Sequence, residues 1–180
     1  MRALIATAFL LTSWLPLRAA VADSAANGFT VKISITIQAP PAEVYQKLVH
    51  NIGDWWNPEH TFSRDPHNLS IDDKPLGCWC EKLGANGGVR HMQVITAVPG
   101  KALVFSGGMG PLQALAVTGS MSMDFTDVKG ATKLDVTYAV GGYLAAGLNT
   151  FAAPVDTVLT DQLNRLKSFV EIGRPVPPSQ

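Results

Sequence analysis

Cys78, Cys80, Glu81 and His91 are the side chains of this sequence whose types and spacing most readily suggest chemistry. The first three fall in one short apolar run, and His91 follows the turn-like Ala85-Asn86-Gly87-Gly88. Two thiolates with an imidazole could hold zinc, although one residue between the cysteines is tighter than the usual C-x₂₋₄-C of zinc sites. The thiols could instead form a disulfide. Alternate Cα atoms on an extended strand lie ~6.5 Å apart, near the limit of disulfide geometry, so closure would pull the strand into a bulge. A third reading treats both cysteines as small apolar side chains. The expectation adopted is free, largely buried thiols and no metal.

Strand alternation puts Cys78 and Cys80 on one face and Trp79 and Glu81 on the other. A Glu81 that faces an apolar interior would have its pKa raised by desolvation, or would need Arg90 or His91 as a partner. Either arrangement suits a general acid or base, or a group that orients a ligand. A Glu81 on the wet face would form a cross-strand ion pair that contributes little. The parity is readable, whereas the inner side of the sheet is not. Glu81, His91 and Tyr143 are the candidate acid–base groups.

Trp55, Trp56 and Phe62 are placed to close one end of a cavity and stack on a ring. Trp79, Met92, Met109, Leu112 and Tyr143 complete the candidate ligand contacts, the last three lying in apolar, glycine-rich segments suited to an entrance. His60 and His67 have no compact ligand spacing. The glycines of SGGMGPLQALAVTG match no nucleotide-binding loop, no nucleophile elbow or H-E-x-x-H is present, and no cofactor is implied.

The elements that must position these residues follow from periodicity. Phe29 to Gln38 alternates as a strand, Pro41 opens a short helix with the apolar stripe Val44, Tyr45, Leu48 and Val49, and a second brief helix lies around Asp54 to Trp56. Strands are expected over 68–71, 77–83, 89–98, 102–107, 116–127 and 132–140, joined by turns too short for parallel crossovers. A long helix from Pro154 to Ile172 carries Val155, Val158, Leu159, Leu163, Leu166, Phe169 and Val170 on one stripe.

This order resembles the helix-grip fold of the START-related, polyketide cyclase-like (SRPBCC) superfamily. ITIQAPPAEVYQKLV is similar to its opening signature, Asp54-Trp55-Trp56 to the tryptophan segment that follows, and PVDTVLTDQLNRLKSFVE to its closing helix. The resemblance covers roughly residues 29 to 172. It implies an α+β domain: a curved antiparallel sheet of about seven strands wrapped on the long C-terminal helix, with two short helices after the first strand. It also implies a cavity for a hydrophobic small molecule, lipid-like, polyketide-like or aromatic. A cyclase or dehydratase acting through Glu81 and His91 is the alternative. GCWCEKLGANGGVRHM looks like a feature of exported members.

Composition bounds the rest. The 180 residues are 47% apolar and 16% charged, which fits one domain with a real core. Fourteen basic and fourteen acidic residues give no net charge, which argues against nucleic acid as a partner. Arg2, the apolar run Ala3 to Leu17 and the A-x-A pattern at Ala20-Val21-Ala22 read as a secretory signal. The expected organisation is a signal over 1–22, a linker over 23–28, the domain over 29–172 and a disordered tail over 173–180. The product would be periplasmic or secreted, without stable membrane insertion.

Overall fold

The structure, a computed structural model, describes residues 18–176. Eight antiparallel strands form one sheet in the order β1-β2-β8-β7-β6-β5-β4-β3. They are β1 (Arg18–Ala25), β2 (Gly28–Ile37), β3 (Leu69–Ile71), β4 (Cys78–Leu83), β5 (Gly87–Val98), β6 (Ala102–Ser106), β7 (Ala116–Val128) and β8 (Ala131–Tyr143). Helices α1 (Pro41–His50) and α2 (Ile52–Trp55) follow β2, and α3 (Asn149–Ile172) ends the fold. This is the helix-grip architecture.

The alternation in β2 does what it implied, burying Phe29, Val31, Ile33, Ile35 and Ile37 on one face. Helix α1 has Pro41 in its first turn and buries Val44, Tyr45, Leu48 and Val49. Helix α3 lays Leu159, Leu163 and Leu166 into the same core. It starts at Asn149, not Pro154, because the preceding turn is also packed: Ala152 is buried and Phe151 lies against the core. Pro154 sits inside the helix, where it forgoes one backbone hydrogen bond. Gly173 closes α3 at φ 74°, a left-handed conformation suited to glycine, with its N–H on the Phe169 carbonyl.

Strand β1 falls in the stretch read as signal and linker, and pairs with β2 from Arg18↔Ser34 to Ala25↔Gly28. Residues 1–17, most of the expected signal, and 177–180, half of the expected tail, lie outside the described residues.

The cysteines correct an expectation. Cys78 and Cys80 are joined in a disulfide, with their Cα atoms 5.4 Å apart, and no described cysteine is free. The flat-strand separation does not apply, because the ladder breaks here: Trp79 pairs with Met92 and Cys80 with Arg90, leaving His91 as an extra residue on β5. The half-buried cysteines share the face opposite buried Trp79 and Glu81. A zinc site combining both sulfurs with inward-facing His91 is therefore ruled out. A second extra residue, Ile95, interrupts the pairing of β5 with β6 between Val94↔Phe105 and Thr96↔Val104.

Gly119 leaves room for Tyr138: a Cβ there would sit 2.8 Å from both the Tyr138 ring and the Gly107 carbonyl oxygen. Gly119→Ala is expected to destabilise the fold by about 1–3 kcal/mol, measured as a lower urea midpoint. Unfolded, unreduced protein is expected to titrate no thiols and to gain two hydrogens in mass on reduction, whereas two titratable thiols would contradict the disulfide.

Candidate functional site

A cavity of about 350 Å³ lies between the inner face of the sheet and the first half of α3. The helix supplies Phe151, Pro154, Val155, Val158 and Leu159, and the sheet supplies Leu69, Trp79, His91 and Tyr138. Two loops close it. One contributes Trp56 and Glu59 through Phe62, and the other Met109 through Leu112.

The first loop is fastened at both ends. Asn57 donates its backbone N–H to Gln162 Oε1 at 2.9 Å and its side-chain amide to Asp161 at 3.1 Å, while Arg165 Nε donates to the Trp55 carbonyl at 2.9 Å. These bonds moor the tryptophan segment to α3. At the other end, Glu81 receives the backbone N–H groups of Phe62, at 3.1 Å, and Ser63. The same carboxylate meets His91 Nε2 at 3.0 Å.

Glu81 is 1% exposed and His91 6%. Alternation turns Glu81 inward with Trp79, and the extra residue in β5 lets His91 and Met92 both turn inward in succession. Burial works to raise the Glu81 pKa, but hydrogen bonds from Ser63, Phe62 and His91 outweigh it and hold the carboxyl below its ordinary value. Burial depresses His91 as well, and the Glu81 contact only partly offsets this. At neutral pH the pair is therefore a carboxylate and a neutral imidazole. Phe62, half exposed, stacks on the His91 ring with centroids 5.8 Å apart and planes 26° apart.

Burial pushes the Tyr138 hydroxyl up to about 12, so it stays neutral. It accepts the Met109 N–H at 2.8 Å and points at the Gly107 carbonyl at 3.4 Å, tying β8 to the second loop. No group of three or more acidic, histidine or cysteine side chains among the described residues is placed to hold a metal.

Of the residues singled out by sequence, Trp56, Phe62, Trp79, His91, Met109 and Leu112 line the cavity, with Glu81 directly behind His91. Trp55 and Met92 are buried beside it in the core, and Trp55 donates its indole N–H to the Lys47 carbonyl. Tyr143 does not join the site: it stands 73% exposed at the end of β8. Tyr138 takes the position a tyrosine was expected to fill. Its parity with buried Leu134, Val136 and Val140 is the signal that could have found it.

No protein-family model matches the chain, and no curated protein does. Solved structures do share its fold. CalU16 from Micromonospora echinospora is 15% identical at a TM-score of 0.60, covering 91% of this chain and 88% of its own. EF2215 from Enterococcus faecalis, a conserved protein of unknown function, gives the same identity and score over 91% and 82%. Ara h 8.0201 is 14% identical at 0.57, over 79% and 97%. These likenesses, all below a fifth in identity, establish the fold.

The protonation states set a pH dependence. Both folded-state pKa values lie below their unfolded counterparts, about 6.5 for histidine and 4.3 for glutamate. The unfolded chain thus takes up protons first as pH falls. The contribution of the pair is complete above about pH 6.5 and declines as pH drops through both folded values. Glu81→Gln is expected to lower stability by about 1–3 kcal/mol at pH 7, since a Gln amide cannot accept from every donor around it. Urea midpoints should show the gap to wild type smaller at the acid end, once the carboxylate itself is protonated, than at pH 7; a gap larger there than at pH 7 would reject this assignment of charges.

Proposed function

We propose that this chain is an exported member of the START-related, polyketide cyclase-like superfamily that holds a hydrophobic small molecule between its sheet and α3. The observation that carries the reading is the cavity, whose volume falls in the range of small-molecule sites and whose walls are mainly aromatic and aliphatic side chains. The superfamily assignment draws support from the fold and from the opening, tryptophan and closing segments of the sequence. Among the described residues no helix is long and apolar enough to cross a membrane. Export rests on the charged start, apolar run and A-x-A pattern of residues 1–22. Cleavage after Ala22 would leave only Asp23–Ala25 of β1 paired with β2.

A second reading has one observation in its favour. The buried 3.0 Å contact of Glu81 with cavity-lining His91 is the arrangement of an oriented base, suited to cyclisation or dehydration of the bound molecule. The two readings separate by whether ligand recovered from the protein is chemically changed, and whether Glu81→Gln abolishes that change while leaving binding intact.

Native mass spectrometry of protein from its own exported compartment is expected to show a bound small molecule, and an N-terminus at Asp23. The protein should also enhance the fluorescence of N-phenyl-1-naphthylamine. Val158→Phe, which fills the cavity from α3, should weaken that binding about tenfold or more, a loss of roughly 1.4 kcal/mol. A ligand-free protein that ignores the probe would overturn the binding reading.

A further inference from the structure

His91 offers a polar atom that the protein leaves unused on the inner wall of the cavity; of the other lining groups without a side-chain partner, the Trp79 indole N–H is sealed and Glu59 and His60 are exposed to solvent. The Tyr138 hydroxyl is occupied by Met109 and Gly107. The His91 ring is committed on one side only, with Nε2 3.0 Å from Glu81 Oε2. An ionised carboxylate has no hydrogen to give, so Nε2 must carry it, and Nδ1 of the neutral ring then carries a lone pair. Nδ1 has no hydrogen-bond partner among the described residues and is not one of their sealed, unpartnered polar atoms, so it opens onto the cavity that the ring lines. Glu81 thus decides, from behind the wall, that the wall presents an acceptor.

Charge narrows the occupant further. No Lys or Arg lines the cavity, and the charge on Glu81 stands one imidazole away from the bound molecule with no cation set against it. An anionic group placed at Nδ1 would meet both a lone pair and that charge in a poorly solvated space. An ether or ester oxygen would leave two acceptors facing each other. The walls next to His91 are the rings of Phe62 and Trp79, with Trp56 packed on Trp79 at a centroid distance of 5.0 Å. Such surfaces suit the flat face and edge of a ring.

Resting on the reading of this cavity as a hydrophobic binding site, we propose that its ligand is a neutral, ring-bearing molecule whose polar end is a hydroxyl that donates to His91 Nδ1. Carboxylates of the same shape are excluded. Discrimination comes from the hydrogen the ligand must bring, because a site built around one buried acceptor rejects an analogue that leaves it unpaired.

Three probes of one shape test this on the full chain at pH 7.5: 2-naphthol, 2-methoxynaphthalene and 2-naphthoate, titrated calorimetrically. The naphthol should bind about tenfold tighter than the methyl ether, the worth of one hydrogen bond, and the naphthoate more weakly than either. His91→Phe, which keeps a ring against Phe62, should bring naphthol and ether to equal affinity. Should that variant fail to fold, nitrogen-15 NMR of wild-type histidine supplies the readout. An acceptor-type Nδ1 signal in the free protein should move with naphthol and stay with the ether. Equal binding of naphthol and ether, or tightest binding of naphthoate, overturns the hydroxyl proposal while leaving the binding reading standing. Failure of all three to bind while N-phenyl-1-naphthylamine still binds overturns the hydroxyl proposal alone, and failure of that probe as well overturns both.

Discussion

An ionised carboxylate taken out of water must be met by donors, and the arrangement around the cavity follows from how Glu81 is met. Desolvation alone would neutralise it. Two backbone N–H groups of the loop at Phe62 and Ser63, with Nε2 of His91, keep it charged. The donors come from two parts of the wall, the loop and β5, so one side chain of β4 fixes a loop, a neighbouring strand and a tautomer together. Phe62 lies over His91 because its own amide is held one bond away. Removing the charge would loosen every one of these placements, and for that reason the carboxylate belongs to the architecture as much as to the chemistry.

The remainder of the wall is held from the opposite side, by α3. Gln162, Asp161 and Arg165 reach the backbone and side chain of the Trp55–Asn57 segment, while the residues a turn or two earlier on the helix face the cavity. A single long helix therefore positions the loop and lines the space beneath it. This scaffold is shared with proteins of very low sequence identity, so the helix and sheet explain that a cavity exists, and the few polar groups must explain what enters it.

Much of the scaffold was legible because burial imposes a period. Strand β2, helix α1 and the stripe of α3 each carry an unbroken apolar pattern, and the turns between strands are written in glycine, proline and asparagine. The same period, extended along β8, would have preferred Tyr138 to Tyr143. What periodicity could not supply was register. Whether Glu81 faced in depended on which side of the sheet met α3, and its meeting with His91 depended on an extra residue that no local propensity marks. The disulfide was misjudged for the same reason: its geometric objection assumed a regular strand, and regularity fails at that point. Strand β1 was hidden differently, since the stretch that reads as signal and linker is also one that suits an edge strand.

The two extra residues of β5 act on the strand as a frameshift and its suppressor act on a reading frame. Before the first, the inward residues are odd-numbered, Val89 and His91; between the two they are even, Met92 and Val94. After Ile95 the odd phase returns, with Ala97 opposite buried Leu103. The shifted frame is confined to a few residues at the cavity wall, and both ends of the strand keep the phase that their neighbours require. Because each bulge absorbs its extra residue, loss of either would straighten the ladder at that point and leave the other residues of β5 facing as they do, and loss of His91 would take the imidazole out of the wall without turning any neighbour over.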